Sequence, residues 1–346
     1  MSKIFDLICD LQNTPCVSGA ESIFSDHLPE CFKTAKKDRF GNLFYIKKST
    51  KRDAPKILVE AHRDEIGLCV NSILSGGFVS AVPCGGFDLS SLSGEDFIIF
   101  GKERIRAVAA ALPPHLAKKD EKDVQKGEIL LDTGLLSFKE TSALISIGDL
   151  VHFSATPKYL SNHLIISRGL DNKASVAALH SACEESIDTD AEICFLYSSG
   201  EETSSYGVKT FCREYKPDLA IVVDVGFGYN DGLDKSSCIV MGSGPSISFS
   251  DTLSVPMSKW AVSVAKSNGI PYQIICEAGG TGTSATAIQT SCGGVPSVVL
   301  SIPLLNMHTA AEIVDERDIF STVQLICLLI ENHQQFLEEV KRYDKQ

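Results

Sequence analysis

Long apolar runs are missing from this chain. No stretch of roughly 18 consecutive apolar residues exists, so no membrane-spanning helix is expected. Excess basic charge is missing too: the net charge is -12 over 346 residues. That argues against a nucleic-acid partner, because a phosphate-binding surface is normally basic, and it favours solubility. The opening stretch MSKIFDLICDLQ lacks a long uncharged apolar run and a cleavage-like site, so no secretory signal is expected and the setting is read as cytoplasmic. The 12 cysteines form no C-x-x-C pair and no Cys–His knuckle. Many lie in apolar runs, as Cys194 does in EICFLY and Cys327 in QLICLLI. A disulfide framework or a cysteine-held structural zinc is therefore not expected, which leaves reduced core thiols. Glycine-rich turns occur, GSGP at 242–245 and GGTGTS at 279–284, but no Lys-Ser/Thr follows at Walker spacing, which removes a P-loop.

What the chain does have is apolar material, 44% of its residues, enough for one large or two smaller domains. Ile4, Leu7, Ile8 and Leu11 form a helical stripe. A second short helix is expected over SIFSDHL, then strands NLFYIKK and KILVEA. From residue 69 to 163 the pattern changes to short β-like pieces (FVSAV, DFIIFG, RIRAVAA, EILLD, LVHFS) between glycine, proline and charged turns. One weak helical patch, SFKETSALIS, interrupts them, and AKKDEKDVQKGE reads as a solvated loop. This stretch is expected to be an inserted β-rich domain, barrel- or sandwich-like. Residues 1–68 and 164–346 would form the main domain. There helices (KASVAALHSACEES, GVKTFCREY, SVPMSKWAVSVAKSNG) alternate with apolar strands (AEICFLY, DLAIVVDV, GVPSVVLSI), ending in a long amphipathic helix over 315–343 with Asp315 or Asp318 near its cap. The alternation predicts an α/β fold with a mixed, mostly parallel sheet flanked by helices.

Five segments place metal-ligating residue types after apolar runs: EAHRDEIG, SRGLDNKAS, SSGEETSSYG, VVDVGFG and PLLNMHTAAE. In a parallel sheet, ligands bind outside the carboxyl ends of the strands. Two histidines with several carboxylates are the donor set of a zinc-type centre whose ions share a bridging carboxylate. His62 is a natural imidazole ligand, and Asp64, two residues on, is placed to fix its ring; alone, HRDE also reads as a solvated turn. Asp171 can bridge two ions or merely cap a helix. Glu201 and Glu202 point in different directions, so one can ligate while the other acts as general base; the bland reading is an acidic helix start. Asp224 ends a buried strand and needs a partner there. His308 gains weight from its place after GVPSVVLSIPLLN. His115, His152 and His163, without carboxylate partners in sequence, read as structural.

In this order the segments resemble the co-catalytic metallopeptidases of family forty-two, the tetrahedral aminopeptidases, over nearly the whole chain. In the insert, CGGFDLSSLSGEDFIIF, AALPPHL, LLDTGL and ISIGDLVHF look like that family's dimerisation-domain segments. The resemblance implies two divalent metal ions per subunit, zinc before cobalt or manganese. It implies that His62 and Asp224 bind one ion, Glu202 and His308 the other, and that Asp171 bridges them. Asp64 would support His62, and Glu201 would be the base. It further implies a phosphorylase/hydrolase-like α/β domain, an inserted β-barrel-like dimerisation domain and homo-oligomers from dimers to tetrahedral dodecamers. The expected activity is release of N-terminal residues from short peptides. Three stretches depart from the family pattern and bear on substrate preference, pocket shape and assembly. Tyr206 stands where an arginine is usual, Gly282 where an aspartate is, and GFGYNDGL follows Asp224. Alternative readings are a carboxypeptidase or deacylase of the same superfamily, whose lid comes later in the chain, and a catalytically silent peptide-binding scaffold. A glucanase could use paired carboxylates, but it would leave both histidines without a task.

Overall fold

The structure, a computed structural model, describes residues 2–21, 28–86, 88–111 and 128–343, with side chains described as far as residue 338. The expected helix over SIFSDHL and the charged run AKKDEKDVQKGE lie outside the described residues apart from their last members, Leu28 and Glu128; His115 lies outside as well.

The main sheet collects β1 (Lys36–Lys37), β2 (Leu43–Lys47) and β3 (Lys56–His62) from before the insert. The insert holds β4 (Gly67–Ile73), β5 (Val79–Cys84), β6 (Asp96–Phe100), β7 (Arg104–Ala109), β8 (Ile129–Asp132) and β9 (Leu150–Phe153). The main sheet resumes with β10 (Lys158–Ser161), β11 (Leu164–Ser167), β12 (Glu192–Ser198), β13 (Leu219–Phe227), β14 (Ser246–Ser250), β15 (Gln273–Glu277), β16 (Ser297–Leu305) and β17 (Glu312–Asp315). The helices are α1 (Lys3–Gln12), α2 (Phe138–Leu144), α3 (Leu170–Glu184), α4 (Tyr206–Tyr215), α5 (Val255–Ser267), α6 (Ala285–Gln289), α7 (Glu316–Glu331) and α8 (His333–Tyr343).

The sheet runs β1-β2-β12-β3-β13-β16-β17-β11-β10, with β14 on β16 and β15 on β14. Strands β12, β3, β13 and β16 are mutually parallel, and antiparallel strands flank them on both sides. These four read as continuous apolar runs because both faces are covered. On β3, Ile57, Val59 and Ala61 enter the larger core with α1, α3, α5 and α7. Leu58, pointing the other way, packs with Phe211 of α4 and Ile288 of α6. Strands β12 and β13 divide their residues likewise: Phe195 and Ile221 go to the larger core, Leu196 and Val222 to the smaller.

The insert is a closed antiparallel barrel, β4-β5-β8-β7-β6-β9, filled by residues such as Leu68, Val79, Phe97, Ile99 and Val151. Its strands end at Phe153; β10, inside the stretch expected as insert, pairs with β11 at the edge of the main sheet. The weak patch SFKETSALIS is a real helix, α2. Ser137 caps it by accepting from the Glu140 N–H, and the Glu140 carboxylate accepts from the Leu136 N–H. The closing helix is two helices. Asn332 ends the first, its side-chain amide bonding back to the Leu328 carbonyl at 2.8 Å. Asp315 is the N-cap of α7, while Asp318 accepts from the Gly242 and Gly244 N–H groups, both at 2.7 Å. All 12 cysteines are free thiols. No helix among the described residues is long and apolar enough to cross a membrane.

Candidate metal centre

The parallel strands deliver the polar residues to one rim of the sheet. His62 is the last residue of β3 and lies level with Ser198, the last of β12; the turn after β12 carries Glu201 and Glu202. Asp224 pairs with Ser301 of β16 and lies inside β13 rather than at its end, because pairing with β16 carries that strand on to Phe227. The loop after β16 brings His308, and Asp171 stands at the start of α3 after β11. Six of the seven singled-out residues, His62, Asp171, Glu201, Glu202, Asp224 and His308, line one cavity of about 270 Å³. The seventh, Asp64, lies fully buried behind it.

Asp171 is central. One carboxylate oxygen is 3.3 Å from His62 Nε2, and the other is 3.3 Å from His308 Nε2. Each of these nitrogens also has a second carboxylate beside it, with Asp224 Oδ1 3.6 Å from His62 Nε2 and Glu202 Oε1 3.5 Å from His308 Nε2. Ligand atoms of His62, Asp171 and Glu202 all fall within 4.8 Å of one another. Asp171 does not serve as a helix cap. The N-cap position of α3 falls to Gly169, and the Asp171 oxygens face imidazoles. Nor do the paired glutamates open a helix, since α4 begins only at Tyr206.

The HRDE stretch is not a solvated turn: His62, Arg63, Asp64 and Glu65 are all buried. Asp64 organises the site from behind. Its two carboxylate oxygens accept from the Glu201 and Glu202 N–H groups, each at 3.1 Å. The contact of Asp64 with His62 is mainly through the main chain, with His62 Nδ1 3.1 Å from the Asp64 carbonyl oxygen and 3.6 Å from its carboxylate. A proton on Nδ1 donated to that carbonyl leaves Nε2 facing Asp171 and Asp224.

So many carboxylates in one buried place shift one another's titration. Burial opposes a charged imidazole at both histidines, but the carboxylates outweigh it. Asp171, Asp224 and Asp64 hold His62 well above its ordinary value, and Asp171 and Glu202 hold His308 up at about 11. Burial pushes the Glu201 carboxyl up to about 9, with Asp224, Asp64 and Glu202 adding to it against the pull of His62. Burial also raises Glu202 and Asp224. Asp171 is the exception: the two imidazoles overcome its burial and hold it below the usual carboxylate range. Such a cluster calls for positive charge. Glu202 Oε1 is buried and, with the His308 ring 3.5 Å away, makes no hydrogen bond of good geometry, as befits an oxygen that can take a cation. The donor set of imidazole nitrogens and carboxylate oxygens suits divalent ions of the zinc type.

Two supporting carboxylates carry no role in the sequence reading. Glu312, four residues after His308, accepts from the His308 N–H at 2.8 Å and from the Asp171 N–H at 3.1 Å, so one side chain ties two members of the cluster together. Its only signal in sequence is a lone acid opening the apolar pair Ile313-Val314. Glu65 meets Lys173 Nζ at 2.6 Å and the Arg168 guanidinium, bracing the residues on either side of Asp171. Of the histidines read as structural, His152 packs its ring on Phe100, 4.7 Å between centroids, and His163 meets Glu316 at 3.2 Å. Tyr206 donates to Glu21 at 3.2 Å, and Glu21 also accepts from the Gly200 N–H at 2.7 Å, directly before the glutamate pair. Gly282 and Phe227, from the other unusual stretches, line the cavity.

The fold and this constellation have known counterparts. The family described as M42 glutamyl aminopeptidase matches residues 41–325, and the chain belongs to it. It is therefore a hydrolase of the exopeptidase class, and peptidases of this family are metal-dependent. A lysyl aminopeptidase of Pyrococcus furiosus is 30% identical, with 94% of this chain and 96% of that protein covered. Among solved structures, aminopeptidase APDkam598 from the archaeon Desulfurococcus kamchatkensis superposes with a TM-score of 0.88 at 27% identity, covering 95% of each chain. The TET1 peptidase of Pyrococcus horikoshii, which can assemble into a tetrahedron or a large octahedral shell, superposes with a TM-score of 0.82 at 26% identity, covering 95% of this chain and 99% of that one.

Proposed function

We propose that this chain removes N-terminal residues from short peptides with the help of two divalent metal ions, zinc in the first place and cobalt or manganese as alternatives. The observation that carries the reading is the placement of Asp171, one oxygen toward each imidazole, with Asp224 and Glu202 beside the same two nitrogens. His62 and Asp224 would hold one ion and His308 and Glu202 the other, with Asp171 shared. Bound there, the ions would acidify a water and polarise a peptide carbonyl.

The remaining chemistry falls to the protein. Glu201 lines the cavity without contacting either imidazole among the ion pairs of the site, which fits a base rather than a ligand. Positive charge bound beside it would draw its raised carboxyl back down, and the carboxylate then takes the proton of the attacking water and returns it to the leaving amine. Asp64 fixes the peptide bond between Glu201 and Glu202 as well as the His62 ring, so base and ligands keep their spacing. The acidic walls favour a substrate with a free ammonium group. The exposed apolar residues of the insert, among them Leu136 (84% exposed) and Ile147 (71%), support its reading as a dimerisation domain, whose strands fill the expected 69–163 stretch only as far as Phe153.

The test is a panel of aminoacyl-arylamides and their N-acetylated counterparts offered to protein reconstituted with zinc. Cleavage confined to free amines is expected. Cleavage of the acetylated set would move the assignment to a deacylase.

A further inference from the structure

The cavity extends from the ligand cluster toward β14, β15 and the loop 279–284. On this side its walls combine the apolar residues Val225, Phe227, Ile239 and Ile275 with the hydroxyls of Ser237, Ser246, Thr281 and Thr283, and they carry one carboxylate, Glu277. Ile275 and Glu277 are two apart on β15 and share its cavity-facing side. The other four cavity carboxylates have assigned tasks, three on the ions and one as base; Glu277 has none. Burial and the Asp224 charge raise its carboxyl, while Ser248 on the neighbouring strand opposes them. No lysine or arginine is among the described residues that line the cavity. Gly282 also lines the cavity, with φ +65° and nothing within 4 Å of where a Cβ would be, so no side chain of its own fills the space there.

We infer that Glu277 selects the side chain of the substrate's first residue, and that the preferred substrates carry lysine or arginine there. The inference rests on the aminopeptidase reading above. A lysine or arginine stem would lie along Ile239, Ile275 and Phe227 and bring its charged head to Glu277, the way such side chains divide between apolar and polar surroundings. A half-buried carboxylate pairs with a cation more strongly than a surface one. A glutamyl or aspartyl side chain would meet Glu277 as a like charge, with no cation in the described wall to receive it. The glutamyl preference in the family's description is therefore not expected of this chain.

The experiment compares kcat/KM for lysyl-, arginyl-, leucyl- and glutamyl-arylamides in wild type, Glu277→Gln and Glu277→Lys, with ion content matched beforehand. Wild type should prefer lysyl to leucyl substrate by about tenfold or more and cut the glutamyl substrate least. Glu277→Gln should collapse the lysyl-to-leucyl ratio, mostly through KM, and Glu277→Lys should raise the glutamyl-to-leucyl ratio. A wild-type preference for the glutamyl substrate, or ratios that do not move in either variant, would overturn the inference while leaving an aminopeptidase in place. Failure of wild type to cut any of the four would overturn both.

Discussion

At the scale of single residues, the site is a balance of buried charge. Asp171, Asp224, Glu202 and Glu201 gather around one cavity, and among the described residues that line it the two imidazoles are the groups that can offset their charge. Carboxylate neighbours outweigh burial and hold both imidazoles toward their protonated, charged form, His62 well above its ordinary value and His308 up at about 11. A metal ion binds only the neutral ring, so ion uptake must displace those protons. The sign follows: both imidazoles are shifted toward the protonated form, so lowering the pH adds protons to the competition and weakens ion binding. Zinc added to ion-free protein in weak buffer should therefore acidify the solution, and the affinity should rise with pH through the neutral range. An affinity indifferent to pH would remove the histidines from the ligand set. Glu312 acts at the same scale. By accepting from the main chain of both Asp171 and His308, it ties together two cluster residues from distant parts of the chain.

At the scale of elements, the join between barrel and sheet depends on a buried ion cluster. Glu65, between β3 and β4, is fully enclosed with Arg168 and Lys173. Those two cations outweigh its burial and hold its carboxyl well below the usual range. A depressed carboxyl contributes stability above its unfolded value, and this stability is lost as pH falls through the folded one. Glu65→Ala would leave two buried cations unpaired and should cost about 3–5 kcal/mol at neutral pH, read from urea midpoints; the penalty should shrink in strong acid. A neutral-pH cost near zero would mean that water reaches the cluster.

These elements also divide what the sequence reveals from what it hides. The central strands were legible because burial on both faces leaves unbroken apolar runs, and polar residues directly after such runs mark the strand ends. His62, Asp171, Glu201, Glu202, Asp224 and His308 could be singled out on that ground and do meet in one cavity. Glu312 and Glu65 could not, because their partners are backbone N–H groups and cations far away in the chain. Closure of the barrel depends on β9 pairing with both β4 and β6, which no local pattern announces. Asn332 divides the closing helix within an unbroken amphipathic pattern, and its amide competing for the Leu328 carbonyl shows only in three dimensions.

At the scale of the whole molecule, the barrel stands beside the catalytic sheet with apolar side chains turned outward. Leu136, Phe138 and Ile147 are all exposed around α2. Covering such a patch with a second copy would remove apolar surface from water and stabilise a dimer. Sedimentation should give a mass at least twice that of the 37.4 kDa chain, and Leu136→Asp combined with Ile147→Asp should shift it toward the monomer. A monomeric wild type would separate this chain's barrel from the assembly role proposed for it.

The central claim, that the cluster around Asp171 holds two ions and that Glu201 works on the water between them and the substrate, is tested most directly by zinc titration of ion-free protein. Bound zinc and leucyl-arylamide turnover would be measured together in wild type and Glu201→Gln. The expected result is two ions per chain in both proteins, with turnover rising in wild type and at least about a hundredfold lower in the variant. Loss of an ion in Glu201→Gln would make Glu201 a ligand. A wild type saturating at one ion, or none, would contradict the two-ion site itself.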